Sequence, residues 1–139
     1  MTTQLLQNIK QVEYIEARYL ANIVLIGNDK VSLKYWRNFN KVCLVDLAGV
    51  DVSQAVENGS RITTVKLSAQ IADDFTVDNR RLAWRVTTVE GEQYLIGTNE
   101  QPYPVTTVAN AFPSKTTERS GKTITATWKT SLDLLHIVD

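Results

Sequence analysis

Most hydrolytic and group-transfer mechanisms need a tuned base beside a nucleophile, and histidine is the commonest such base. This sequence holds one histidine, His136, in the run Leu134-Leu135-His136-Ile137-Val138. Apolar neighbours on both sides suit a hydrogen-bonded histidine on an edge strand rather than a general base. The single cysteine, Cys43, lies within Lys41-Val42-Cys43-Leu44-Val45 and reads as a small buried hydrophobe. Nothing in the spacing brings it to His136. One histidine and one cysteine cannot furnish a structural zinc shell. Asp73, Asp74 and Asp78 could gather oxygen ligands for calcium, but they lack the alternating spacing and the glycine of a helix-loop-helix calcium loop. They read as a solvated turn. Gly91 and Gly97 stand alone, so neither a phosphate-cradling loop nor a dinucleotide fingerprint is present. Paired glycosidase carboxylates are defined by a separation in space that spacing along the chain does not specify. The expectation is a protein with no catalytic residues, no metal and no cofactor, and not an enzyme.

Binding is the remaining class. Trp36, Trp84 and Trp128 together with Arg37, Arg80, Arg81 and Arg85 could form an aromatic and basic surface for single-stranded nucleic acid. The plainer reading places Trp84 and Trp128 in a core and offsets the arginines with Glu90, Glu92 and Asp78. Trp36, in Lys34-Tyr35-Trp36-Arg37-Asn38-Phe39, belongs to the one aromatic cluster without a clean buried face, which leaves it open to a partner or a sugar.

The elements that would have to position such residues are mainly strands. From Arg61 to Ile71, Thr63, Val65, Leu67, Ala69 and Ile71 alternate with Ile62, Thr64, Lys66, Ser68 and Gln70. Just before them, Asn58-Gly59 is the dipeptide preferred in two-residue hairpin turns, because both central residues need positive φ. Pairing Glu57 with Ser60 then sets Val52 opposite Val65 and Val50 opposite Leu67, so turn and apolar face agree. The competing reading makes Ser53 to Glu57 a short helix capped by Gly59.

A second hairpin joins Arg81–Val89 to Gln93–Thr98 through Glu90-Gly91-Glu92. This predicts Trp84 opposite Thr98, Val86 opposite Ile96 and Thr88 opposite Tyr94, with Leu82, Trp84, Val86, Tyr94 and Ile96 on one side. A three-residue loop usually wants its glycine last, whereas Gly91 is central here. Lys122 to Lys129 alternates again, with Ile124, Ala126 and Trp128 on one face. Leu132 to Val138 reads as a further strand through Leu132, Leu134 and His136, or as a helical turn after Ser131. Leu5, Ile9, Val12, Tyr19 and Ile23 suit a helical stripe while Val12-Glu13-Tyr14 suits a strand, and periodicity does not arbitrate. Residues 73–79, 98–104 and 113–121 read as loops. The result is a single all-β domain over residues 1–139, an antiparallel sandwich or barrel of roughly seven to nine strands with room for one short helix.

The chain has 139 residues, in the usual range of one domain, and its fifteen basic residues balance fifteen acidic ones. No long-range field therefore favours nucleic acid or an anionic membrane. The N-terminus lacks a basic segment followed by an apolar one, and no run of about 18 apolar residues occurs. Retention in the compartment of synthesis is expected, without a signal peptide and without membrane association. Asn58-Gly59-Ser60 is then a turn rather than a glycosylation site.

Gln93-Tyr94-Leu95-Ile96-Gly97-Thr98-Asn99-Glu100-Gln101-Pro102-Tyr103-Pro104, followed by a closing Thr125-Ala126-Thr127-Trp128-Lys129 strand, resembles small structural proteins encoded in prophages of tailed bacteriophages. Ile9 to Leu20, read as a strand through Val12-Glu13-Tyr14, is similar to the opening of the same group. The likeness covers about the last 60 residues well and the middle poorly, and its motif is a turn-and-strand pattern without a chemical signature. The resemblance implies a virion component of the neck or tail, cytoplasmic during synthesis and then in the virion. Its partners would be other virion proteins or copies of itself, as a homo-oligomer. No family site residues carry over. Trp36 and Arg37, and Lys115 and Arg119 in the polar stretch Lys115 to Lys122, are the candidate partner contacts, with ordinary solvated loops as the alternative. A stand-alone module for single-stranded nucleic acid or carbohydrate is the alternative function.

Overall fold

The computed structural model describes residues 3–27, 29–34, 38–45, 47–72, 81–111 and 121–138. Strand β1, Thr3–Glu16, resolves the N-terminal ambiguity in favour of extended backbone. The strand reading of Ile9 to Leu20 is met only to Glu16, because Ala17–Leu20 wind into one 3-10 turn that buries Ala17 and Leu20. Of the stripe that suggested a helix, Leu5, Ile9 and Val12 lie in β1, and only Tyr19, 54% exposed, lies in that turn.

Ten further strands follow: β2 (Val24–Ile26), β3 (Lys30–Ser32), β4 (Asn40–Val42), β5 (Ala48–Glu57) and β6 (Ser60–Ile71), then β7 (Leu82–Thr88), β8 (Gln93–Ile96), β9 (Val105–Ala111), β10 (Gly121–Thr130) and β11 (Leu135–Ile137). No α-helix occurs among the described residues. Among the described residues the strands form one sheet of eleven, more than the seven to nine expected, because β2, β3 and β4 are three-residue strands too short for alternation to announce. Ten lie in the order β2-β3-β11-β8-β7-β1-β5-β6-β10-β9, with β4 alongside β1. The sheet curls on itself into a half-barrel. All pairings are antiparallel except β3 with β11.

The first hairpin has the register that its turn dictates. Glu57 pairs with Ser60, Val52 with Val65 and Val50 with Leu67, around Asn58 at φ 52 and Gly59 at φ 79. Ser53 to Glu57 is therefore strand and not helix. On β6 the inward set Thr63, Val65, Leu67, Ala69 and Ile71 is buried.

The second hairpin keeps its faces but moves its register. Trp84 pairs with Ile96, Val86 with Tyr94 and Thr87 with Gln93, so each partner lies two residues earlier than expected. An even shift leaves every side chain on its face. The turn explains it. Thr88 N–H donates to Glu92 O at 2.9 Å and Gly91 N–H to Thr88 O at 3.0 Å. The loop is thus Val89-Glu90-Gly91, and Gly91, at φ 94, takes the final left-handed position that three-residue loops require.

Trp84 and Trp128 fill the interior at 0% and 1% exposure. Each indole N–H finds an acceptor across the sheet, Trp84 on Thr106 Oγ1 at 3.3 Å and Trp128 on Pro102 O at 3.0 Å. Burial of a polar ring edge is thereby compensated. The opposite face of β7 and β1 is also buried, over a charge pair. Arg85 donates to both carboxylate oxygens of Glu13 at 3.0 and 2.9 Å, and the Phe39 ring lies 4.0 Å from the guanidinium carbon. Arg85 is thus neutralised by Glu13, its neighbour across the ladder, rather than by the nearby Glu90 and Glu92.

Two residues depart from the sequence reading for the same reason, a chain path that periodicity does not reveal. Cys43 is exposed and not buried, because residues 43–45 leave β1 and run along the end of β6, where Cys43 O accepts from Ala72 N–H at 2.9 Å. His136 is not on an edge, since β11 lies between β8 and β3. Only Leu135–Ile137 of the final stretch is strand, and it buries Leu135 and Ile137 in place of Leu132 and Leu134.

Gly97 sits where the chain leaves β8 at φ 105, and an added Cβ would lie 2.8 Å from Pro104 Cγ and 3.2 Å from Ala83 Cβ. Gly91 shares the positive φ but has open space around it. Gly91→Ala should therefore cost about 1–2 kcal/mol of unfolding free energy, and Gly97→Ala about 2–4 kcal/mol because overpacking adds to the strain. Urea denaturation of the two variants measures the difference, and equal midpoints would contradict the packing seen at Gly97.

Candidate functional site

The inward row that crosses β3, β11 and β8 is polar where its neighbours are apolar. Lys30 lies beside His136, and His136 beside Tyr94, each pair in direct register. The imidazole and phenol rings are 5.0 Å apart at 31°, and His136 N–H is anchored on Asp29 O at 2.8 Å. From the other arm of the curl, β5 presents Val52 and Gln54. The segment linking β10 to β11 adds Asp133 and Leu134. Together they enclose a cleft of about 330 Å3 at the mouth of the half-barrel.

Asp133 is fixed by three donors. Its Oδ1 accepts from the Gln54 amide and from Thr63 Oγ1 at 3.3 Å, and its Oδ2 from Arg61 at 3.4 Å. Thr63 is fully buried and Gln54 half-buried, so the carboxylate is oriented before any ligand arrives. By contrast, the side chains of Asp29 and Lys30 and the imidazole of His136 make no hydrogen bond or ion pair among the described residues. Their capacity is available to the cleft.

Tyr94 extends from this row to the hairpin loop, where its hydroxyl donates to Glu92 Oε2 at 2.7 Å. Burial, then the bond to Glu92, then the negative charges of Glu92 and Glu90 hold the phenol neutral and push its pKa up to about 12. A second, smaller cleft of about 250 Å3 is lined by Glu16, Arg18, Arg81, Asn99 and Tyr103. There the Arg81 guanidinium lies 5.0 Å from the Tyr103 ring and Arg18 pairs with Glu16 at 3.2 Å.

The residues proposed from sequence as partner contacts, Trp36, Arg37, Lys115 and Arg119, lie outside the described residues, as do Arg80, Asp73, Asp74 and Asp78. Trp84 and Trp128 are buried and offer no ring face for stacking a base. The mouth residues escaped the sequence reading, although one signal was present. The inward series Ala48, Val50, Val52 ends on Gln54, and the facing series begins on Thr63. A polar pair at the end of two apolar faces marks where the core stops. Nothing local announces that Asp133 and His136 would join them.

Chemically the lining supplies hydrogen-bond donors and acceptors with no serine, threonine or cysteine hydroxyl or thiol among it. Among the described residues no group of three or more His, Cys, Asp or Glu side chains could hold a metal ion. No helix among them is long and apolar enough to cross a membrane.

The raised phenol has a measurable consequence. A tyrosine whose folded pKa exceeds its unfolded value of about 10 contributes stability that is complete below pH 10 and lost as pH rises through about 12. Alkaline ultraviolet titration of the five tyrosines should show a latest transition near pH 12. Tyr94→Phe should remove it, and Glu92→Gln should bring it part of the way down. Persistence of that transition in Tyr94→Phe would contradict the assignment. Comparison of the chain with protein-family models, with curated proteins and with solved structures gives no match in any of the three.

Proposed function

We propose that this protein works by protein–protein contact, as a structural or assembly component of the kind found in the neck or tail of phage virions, with copies of itself or other virion proteins as partners. The observation that supports this best is the edge strand β2. Its three residues Val24, Leu25 and Ile26 are consecutive, apolar and 41–46% exposed. β2 pairs on one side only, with β3, among the described residues. Soluble proteins usually guard such an edge with charge, proline or a bulge. Val-Leu-Ile carries none of these, so the strand suits addition of a partner's strand.

Among the described residues β9 forms the opposite edge, where Val105 is 66% exposed. Two different edges on one curled sheet favour head-to-tail contacts, which close into rings or extend as tubes. The role needs a stable β core and no cofactor or catalytic group, in keeping with the resemblance of residues 93–104 and 125–129 to prophage structural proteins.

Light scattering at rising concentration tests the contact. The mass should climb above that of a monomer and fall back in Leu25→Lys, which places a charge on the edge without entering the core. A wild-type chain that stays monomeric at high concentration, or an assembly indifferent to Leu25→Lys, would contradict the edge as the contact. Flanking genes encoding capsid, portal or tail proteins are expected, and a metabolic neighbourhood would contradict the virion role.

A further inference from the structure

We propose that the cleft at the mouth of the half-barrel is a binding site for a neutral saccharide, held by Lys30, Asp29, Gln54, Asp133 and His136 against the Tyr94–His136 wall. The site adjoins the assembly edge, since Lys30 pairs with Ile26 of β2, but Leu25 pairs with Val31 and not with a cleft residue, so a substitution there leaves the cleft side chains in place.

Size comes first. At about 330 Å3 the cleft is within the range of small-ligand sites, about 300–1,000 Å3, and it opens at the mouth of a curled sheet, where such sites favour forming. Charge narrows the class. Asp29 and Asp133 are matched by Lys30 in the lining and by Arg61 on Asp133. The lining carries no surplus of positive charge, and Arg61 offsets Asp133 from outside it, so no net field draws a phosphate or a carboxylate. The ligand it fits is uncharged and rich in hydroxyls.

Hydrogen-bonding capacity points the same way. Lys30 offers only donors and Asp29 only acceptors, while a neutral imidazole offers one of each. These three groups make no side-chain bond among the described residues. Gln54 donates to Asp133 and keeps its carbonyl oxygen for the cleft. A sugar hydroxyl both donates and accepts, so adjacent hydroxyls can use this alternation of partners, whereas an apolar ligand would strand them in a desolvated site. Asp133, held by Gln54, Thr63 and Arg61, loses little freedom when it accepts one more bond.

The remaining wall is the tilted Tyr94–His136 pair, with Val52 and Leu134 beside it. Such a surface matches the C–H face of a pyranose, one side of the ring meeting aromatic carbon while the hydroxyl rim meets the polar groups. A peptide fits less well. β11 and β8 are paired along both edges, so this row presents side chains and no free backbone for strand addition.

The test is an amide-shift titration of the full chain by nuclear magnetic resonance with glucose, galactose, mannose, N-acetylglucosamine, maltose and lactose, and separately with inorganic phosphate. At least one sugar should give saturable millimolar shifts centred on Lys30, Gln54, Tyr94 and His136, and phosphate should give none. Lys30→Ala, at an exposed position, and His136→Ala should each weaken binding about tenfold while the urea midpoint of Lys30→Ala stays at the wild-type value. Leu25→Lys should bind as wild type, which separates this site from the assembly edge. No saturable shift with any of the six sugars, equal shifts with phosphate, or full affinity in Lys30→Ala and His136→Ala would overturn the proposal.

Discussion

Strand β1 is hydrogen-bonded along both edges, and the curl of the whole sheet depends on how that pairing is shared out. Its first half pairs with β5, from Thr3 opposite Ser53 to Ile9 opposite Ala48. Its second half pairs with β7 on the other edge, from Ile9 opposite Thr88 to Glu16 opposite Leu82, while β4 takes the place of β5 beside Val12 to Tyr14. Ile9 is the crossing point and is fully buried. Both ladders are irregular here, between Leu6 and Ile9 and between Ile9 and Gln11, and Asn8 stands at φ 65. An extra residue in a ladder bends the strand and raises its twist, so β1 can belong to two arms that face each other.

The two arms can then enclose an interior, and its filling is graded. At the closed part Trp84, Trp128, Val50, Val65 and Leu67 exclude water. Toward the mouth the same inward rows change to Gln54, Thr63, Tyr94, His136 and Lys30. Behind the β7 arm the Glu13–Arg85 pair under Phe39 is buried on the second face, and its two parallel bonds match one charge to the other where water is scarce. Such a pair adds little net stability over an apolar substitute, and it joins β1 to β7 at residues that face each other in the ladder. Among the described residues the curl thus has an apolar floor, a polar rim and β2 and β9 at the two ends of its strand order.

Much of this was legible wherever a local rule acted alone. Asn58-Gly59 set the β5–β6 register, and alternation identified the buried faces of β6 and β10, because turn chemistry and period-two burial operate over a few residues. The β7–β8 faces were legible by parity, while the register needed the preference of Gly91 for the last loop position to outweigh a symmetric reading of Glu90-Gly91-Glu92. Pairings between distant segments were not legible. β11 joins β3 in parallel across about a hundred residues, and no local pattern encodes such a partner. Cys43 and His136 were misplaced for that reason, one by a strand that changes neighbours and the other by a strand inserted between two others. The mouth cleft inherits the same difficulty, since β3, β5, β8 and the segment before β11 must meet before it exists.

If β1 holds the two arms together, it should be among the last parts of the molecule to open. Native-state amide hydrogen exchange reads this residue by residue. The amides of Val12 to Ile15 should exchange only through global unfolding, together with their partners in β7, while those of β2 exchange through local opening. Exchange of Val12 to Ile15 at low free energy while the β5–β6 hairpin stays protected would show that the arms are joined elsewhere, and would contradict the central place given to β1.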